Sequence, residues 1–565
     1  MPPLTCSQQL RYAIPDSLSR WRTSTSMVTA ASFSTSARLS ANPPKKGNSA
    51  QSGPPKRGVR ALTIKKTKRA VSARPPAPGE RKALRKRIVL SNTNALEVPG
   101  LQEMSASNVG DETFHGKMLA LPGPVIDSLR VVEAFHTTQG WSMFRKPATL
   151  VRGDTVDLGK LMRELEEEKS TGRRVVVGEA HSGKSVLQLQ ALAMAFLREW
   201  VVVHISDAME LTNAHTEYAP VQGSNPTQYT QNAYAAALLT KLSKANKAVF
   251  SQLQLTRKHD LPIPVQSNIS LDRFCDMGAR DPEIAWPFWE ALWAELTAPS
   301  GNGAKRRPPI LLAIDNLPHV MKESEYLSRE VKKIHAHDLL MVSHFMDHLS
   351  GRKTLPNGGL VLAATNESNK PRIKTLDFAI QRNEALQHEP TRRVEGELVQ
   401  HLQTALRSFD FGTTTTTHIH PLLDRWESLS RRDIDDKVPV ETARAITALL
   451  AELETLPLRT PRWNPFVPID TRVLAALEGV HVQRLHGLSK DEARSVLEYY
   501  AASGLLRKQV TDKVVAENWT LSGGGIVGEL EKAAVRRVER WVSPVVPVVG
   551  DSVWSPSGGG TLRMA

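Results

Sequence analysis

At 565 residues the chain is too long for a single hydrophobic core, and two or three domains are expected, with a 40% apolar fraction sufficient to build them. Only two cysteines, Cys6 and Cys275, are present, which excludes a disulfide scaffold and implies a reducing interior compartment. No run reaches the ~20 apolar residues of a bilayer span, and the most apolar stretch, Ala191 to Ile205, is broken by Arg198 and Glu199, so no membrane span is expected.

The net charge of +15 points to a polyanionic partner, most simply nucleic acid, but it is unevenly placed. Residues 1–90 hold 19 of the 73 Lys and Arg and only two acids, Asp16 and Glu80. The remainder, 54 basic against 56 acidic residues, is close to neutral. Residues 1–40, with "WRTSTSMVTAASFSTSARLS" at their end, are Arg-rich, Ser-rich and acid-poor, the character of a mitochondrial transit peptide. No uncharged apolar core of secretory type lies there. Residues 41–110 are a basic Pro/Gly-rich extension that buries too little apolar surface to fold alone. Its lysines and arginines suit RNA phosphates.

Patterned sequence begins near Asp111, opening a domain expected over 111–410. "LPGPVIDSLRVVEAFHTTQGWSMFRKPATLVR" predicts a helix and then a strand. "DLGKLMRELEEEKSTGR" predicts a charged helix closed by Gly172. Short apolar strands then alternate with long helical stretches: Val175–Val177, Ser185–Arg198, Val201–Ile205, Ile310–Ile314 and Leu360–Ala364. That alternation predicts an α/β fold with a parallel sheet covered by helices on both faces.

Between the first strand and its helix, Gly178-Glu179-Ala180-His181-Ser182-Gly183-Lys184-Ser185 fits the phosphate-loop pattern G-x-x-x-x-G-K-[ST] in full. Gly178 and Gly183 allow consecutive N–H groups to turn inward around a phosphate, at a helix N-terminus that adds partial positive charge. Lys184 is expected to reach the β- and γ-phosphates, and the Ser185 hydroxyl to ligate Mg2+. Asp315, closing "PPILLAID", is the expected second metal residue. Asn366, at the end of "GGLVLAATN", is a candidate γ-phosphate sensor. The residue after Asp315 is Asn316, where a ring-type ATPase places a glutamate base; a carboxamide cannot take a proton. Glu179 and His181 are weak substitutes. Arg372, Arg382, Arg392 and Arg393 are arginine-finger candidates by location only. The site is therefore expected to bind nucleotide with weak or no hydrolysis, and no catalytic residue is assigned.

"DPEIAWPFWEALWAEL" places Trp286, Trp289 and Trp293 at helical spacing with Pro287 near the helix start; core packing is the expectation and a protein interface the alternative. The 17 histidines form no evident metal set. Beyond Phe411 a mostly helical C-terminal domain is expected over 411–545, with a tail at 546–565. "LSKDEARSVLEYYAASGLL" carries a capping box, Ser489 with Glu492, and a closing Gly504. "LRKQVTDKVVAENWTLSGGG" looks like a strand pair with a glycine turn, so helix and hairpin together suggest a winged-helix-like module.

"WSMFRKPATLVR", the phosphate loop, "REWVVVHISDAMEL", "ILLAIDNLPHV" and "LVLAATNES" together resemble the mitochondrial small-subunit ribosomal protein family also called death-associated protein three. The likeness spans roughly 110 to 540 and is strongest over 140–370; the long basic arm resembles a fungal elaboration. The family's His-Ile-Pro-Asp-Ala stretch reads His204-Ile205-Ser206-Asp207-Ala208 here, with serine in place of proline. The resemblance implies a structural subunit of the mitochondrial small ribosomal subunit, in the matrix, contacting its rRNA and neighbouring ribosomal proteins and supporting mitochondrial translation. It implies a P-loop NTPase fold related to ring-type ATPases, with Lys184, Ser185 and Asp315 on the phosphate and metal positions. The nucleotide it implies is a purine, GTP or GDP, with ATP as an alternative, and Mg2+; no N-K-x-D base-reading motif is present. The competing readings are an active ring-forming mitochondrial ATPase, against which Asn316 argues, and a GTPase-like switch.

Overall fold

Four apolar runs and one mixed strand form a five-stranded, all-parallel sheet in a computed structural model that describes residues 88–299, 307–368, 370–409, 417–506 and 508–536. The strands are β1 (Thr171–Gly178), β2 (Val201–Ile205), β3 (Ile310–Ile314), β4 (Gly359–Ala364) and β5 (His481–Leu485), in the order β5-β1-β4-β3-β2. The expected transit peptide, most of the expected basic extension and the expected tail lie outside the described residues.

Every residue of β2, β3 and β4 is buried, as expected of parallel strands covered on both faces. Alternate side chains feed two cores. Val175, Val177, Val203, Leu312, Ile314 and Val361 enter one. Val176, Val202, Leu311, Ala313, Leu360 and Leu362 enter the other. The second face is covered by α1 (Gly123–Val131), α2 (Gly153–Glu168) and α3 (Lys184–Leu197). The first carries α4 (Asn232–Ala245), α5 (Leu271–Arg280), α6 (Pro282–Leu296), α7 (Leu340–Leu349) and α8 (Lys374–Gln387). The expected helix–strand lead-in is present as α1 and the strand Ala148–Leu150, which pairs antiparallel with Met118–Ala120.

Helix α2 ends differently from expectation. Lys169, at φ 54°, breaks it, while Gly172 lies inside β1. A Cβ there would come within 2.6 Å of Leu165 Cδ1, which would have to shift to admit it. In α6 the start is set by Asp281, which caps Glu283 N, and by Pro282; Pro287 is internal. Trp289 and Trp293 are core residues, 1% and 8% exposed and stacked at 5.8 Å, which bears out the packing expectation. Cys275 is buried in the same core, where desolvation pushes its thiol well above the usual range.

Beyond 410 the chain is mostly helical, as expected, and the helical core there also takes in a helix that precedes the expected boundary. Helices α9 (Glu389–Arg407), α10 (Ile419–Ser428) and α11 (Val440–Thr455) share a core of Leu398, Leu402, Leu406, Leu422 and Ile446. The segment does not stand apart from the sheet, because β5 pairs with β1 along Val482↔Val175 to Leu485↔Gly178. Helix α12 (Lys490–Ala502) carries the expected capping box, with Ser489 Oγ accepting from Glu492 N and Glu492 Oε2 accepting from Ser489 N at 2.9 Å.

The expected hairpin after α12 is a helix, α13 (Asp512–Leu521). Thr511 caps it by accepting from Val514 N, and Asp512 complements the helix dipole. Those end signals override the β-branched Val514 and Val515. The glycine turn is present, with Gly523, Gly524 and Gly525 at φ 70°, 84° and 84°. Among the described residues there is no wing, so the winged-helix expectation is corrected to a small helical unit. It packs Leu497, Tyr500, Val515 and Leu530 against Phe144 and the Met118/Ala148 ribbon. Among the described residues no helix is long and apolar enough to cross a membrane.

Candidate functional site

The loop Glu179–Gly183 leaves β1 at the carboxyl edge of the sheet and runs into the N-terminus of α3. It needs unusual backbone at three places: Gly178 at φ 153°, His181 at φ 63° and Gly183 at φ 102°. At Gly178 a Cβ would lie 2.6 Å from Leu485 O and 2.9 Å from Ser182 Oγ, so only glycine permits this approach to β5.

Lys184, 6% exposed, turns its ammonium back into the loop, donating to Gly178 O at 2.8 Å and Glu179 O at 2.6 Å. Burial lowers its pKa, while the carboxylates of Glu367 and Asp315 oppose that shift. Ser185 Oγ donates to Asp315 Oδ2 at 3.0 Å, which joins the loop to the end of β3. The two residues expected on the metal are therefore adjacent before any ligand is considered. Ser182 Oγ is buried and makes no hydrogen bond among the described residues.

Asn316, at φ 65°, donates from its carboxamide to Asp207 Oδ1 at 3.0 Å. Its backbone N–H donates to Asp315 Oδ1 at 2.7 Å. Asn366 lies after β4 and its Oδ1 accepts from Ser368 N at 2.9 Å, a local Asx turn. Glu179 is exposed on the loop. Of the arginine candidates, Arg382 meets His418, and Arg393 pairs with Glu397 and Glu452.

Four groups at the loop gave no local sequence signal. Arg152, at the start of α2, donates to Ser182 O at 3.2 Å and His486 O at 2.8 Å, tying the loop to the end of β5. Gly528 N donates to His181 O at 3.1 Å, and Glu529 Oε1 lies 3.1 Å from His181 Nδ1. A Cβ on Gly528 would come within 2.8 Å of His181 Cβ. His136 Nε2 lies 3.3 Å from Asp315 Oδ2. No set of three or more His, Cys, Asp or Glu among the described residues is arranged to hold a metal.

Taken together these contacts define an α/β protein with a glycine-bounded, lysine-backed loop at the carboxyl edge of a parallel sheet, a place where such sheets bind ligands. Residues 149–533 match the family model described as mitochondrial ribosomal death-associated protein 3. The chain is 38% identical over 510 residues to the small ribosomal subunit protein mS29 of Neurospora crassa, covering 90% of each chain. It is 21% identical over 445 residues to the mS29 of Schizosaccharomyces pombe, covering 76% of this chain and 74% of that one. The chain belongs to the mitochondrial ribosomal death-associated protein 3 family, which bears out the resemblance and locates the chain at the mitochondrial ribosome.

Proposed function

We propose that the chain is a structural constituent of the small subunit of the mitochondrial ribosome, in the matrix, and that it holds a purine nucleotide as an internal fastener. The observation that carries the nucleotide reading is the convergence of Lys184, Ser185 and Asp315 beside an Asn316 whose carboxamide donates to Asp207. The pocket has the parts for holding phosphate and lacks a carboxylate base at the position that follows Asp315.

Three features of these residues fit a phosphate group. The loop amides end at a helix N-terminus, the Lys184 ammonium is desolvated, and Ser182 Oγ is buried with hydrogen-bonding capacity in reserve. In this structure Lys184 satisfies two carbonyls of its own loop. On binding it exchanges them for phosphate oxygens, which makes the loop and the ligand parts of one hydrogen-bonded unit. Mg2+ would neutralise charge between phosphate oxygens, with the Ser185 hydroxyl and the Asp315 carboxylate to hold it. Mg2+ commonly takes only one or two protein groups and fills its shell with water and phosphate, so the sparse donor set suits it. GTP or GDP is the expected nucleotide on family likeness, with ATP the alternative.

The N-terminal arm supplies the RNA contact in this reading, since the folded remainder is near neutral. Each phosphate it neutralises releases counterion and steepens the salt dependence of binding. Sedimentation of mitochondrial extracts through high salt tests the assignment. The full mature chain is expected to travel with small subunits, and one lacking residues 41–87, with their 15 Lys and Arg, to fall away at lower salt. A chain found mainly free, turning over nucleotide many times per minute, would instead be a ring-type ATPase.

A further inference from the structure

The sequence His204-Ile205-Ser206-Asp207 ends β2, one strand away from Asp315, and its polar side chains all act on that neighbourhood. His204 is buried and neutral, its pKa lowered to about 4 chiefly by desolvation. Its Nδ1 lies 2.9 Å from Val132 O, so that nitrogen carries the proton and donates. Two residues on, Ser206 Oγ donates to Glu133 Oε2 at 3.0 Å, and Lys241 of α4 holds the same oxygen at 3.0 Å. Asp207 accepts from the Asn316 side chain at 3.0 Å. Strand alternation points His204 and Ser206 the same way, so both grip one turn, Val132–His136, that follows α1.

That turn is held from its other end as well. Gln139 Oε1 accepts from His136 N at 2.9 Å and from Trp141 Nε1 at 2.5 Å. Phe135, 5% exposed, packs edge-on against Trp141 at 5.4 Å. Glu133 sits at φ 56°, a left-handed position just past the end of α1, of the kind that closes helices. What the fixed turn delivers is His136, whose Nε2 reaches Asp315 Oδ2, the oxygen that also accepts from Ser185.

We propose that His136 is a positioning residue for the metal-side carboxylate of the nucleotide site, and that His204 and Ser206 are its mount. The proposal rests on the nucleotide reading above. Asp315 Oδ1 is fixed by Asn316 N. Its Oδ2 contacts Ser185 and His136. A Ser185 hydroxyl that offers a lone pair to a cation can keep donating to that oxygen, and His136 is the second hold that keeps the carboxylate from rotating. Partners of this outer kind typically change metal affinity by about tenfold to a hundredfold when removed. His136 does not touch the nucleotide and is assigned no proton transfer.

The test is equilibrium binding of a fluorescent guanine nucleotide to the full mature chain, titrated with Mg2+ and compared with the same chain in EDTA. His136→Ala is expected to raise the Mg2+ concentration at half-maximal retention by about tenfold or more, leaving Mg2+-free affinity unchanged. His136→Gln, which keeps an N–H near that point, is expected to recover most of the shift. His204→Ala is expected to reproduce the His136→Ala shift in part through loss of the turn's anchor. An unaltered Mg2+ midpoint in His136→Ala overturns the proposal, as does an equal loss with and without Mg2+, which marks a purely structural role. A wild-type chain that binds no nucleotide at any Mg2+ concentration overturns the nucleotide reading itself and is a distinct result.

Discussion

Replacing Lys184 with alanine is expected to lower nucleotide affinity by at least about a hundredfold, because a hydrogen bond to a charged group contributes about 1.5–3 kcal/mol and the ammonium offers more than one. The ligand-free fold should change far less. Lys184 binds only Gly178 O and Glu179 O there, at the expense of burying its charge. Loss of those bonds and relief of that desolvation oppose one another, and the net effect on the empty chain should be within about 1 kcal/mol. The two chains should separate once nucleotide is added. A ligand at a thousand times its dissociation constant stabilises the native state by about 4 kcal/mol, and the alanine variant should lose nearly all of that. Thermal unfolding with and without added GDP and Mg2+ reads this directly. A ligand-induced shift of equal size in both chains would contradict the role given to Lys184.

The second large effect is expected far from the site, at Glu295 on α6. Its carboxylate is fully buried and faces Arg307, also buried, at 2.6 Å. It accepts as well from Thr256 N, Thr256 Oγ1 and Arg257 N, at 3.1, 2.8 and 2.8 Å, and contacts His259 Nε2 at 3.0 Å. Glu295→Leu takes the buried anion from Arg307, which keeps its bond to Gln254 O at 2.7 Å, and breaking a buried pair in this way typically costs about 3–5 kcal/mol. In thermal unfolding that is a fall of about 3–5 °C for a chain of this size. A fall of less than about one degree would contradict the cost assigned to this pair.

The same carboxylate sets a pH dependence. Desolvation pushes its pKa up, but the hydrogen bonds from His259, Thr256 and Arg257 together outweigh it and hold the group below its ordinary value of 4.5. A lowered carboxylate pKa means the unfolded chain binds the proton more readily. The stabilisation is therefore complete above 4.5 and is lost as pH falls through the lowered value. As pH falls below 4.5, the wild type should lose more stability than Glu295→Leu does.

How much of this was legible in the sequence depended on whether the controlling interactions were local. The strands β2, β3 and β4 were readable as apolar runs because burial on both faces demands them. The phosphate-loop pattern and the Ser489–Glu492 box were readable because their geometry is fixed within eight residues. Strand β5 was not, since His481 and Arg484 are exposed and its sequence looks like any edge segment. Helix α13 was misread because β-branched valines dominated the pattern, whereas Thr511 and Asp512 decided it. At the candidate site the gaps have one cause. Arg152, His136, Gly528 and Glu529 reach the loop or Asp315 across long stretches of chain, up to the 348 residues that separate His181 from Glu529. The "HVQRLHGLSK" and "SGGGIVGEL" segments give no local sign that they close on a loop near residue 180. Ser206, which stands where the resembled family has proline, is explained only by its bond to Glu133.

The central claim is that the glycine-bounded loop and Lys184 grip a nucleotide as a lasting part of the assembled particle. Its most direct measurement is a count of purine nucleotide released by acid from salt-washed mitochondrial small subunits, set against the amount of this chain. The account predicts about one guanosine diphosphate or triphosphate per chain, retained through the wash by the amide cradle and absent from particles assembled with Lys184→Ala. Intact particles that release no nucleotide, with the wild-type chain present in full amount, would contradict it.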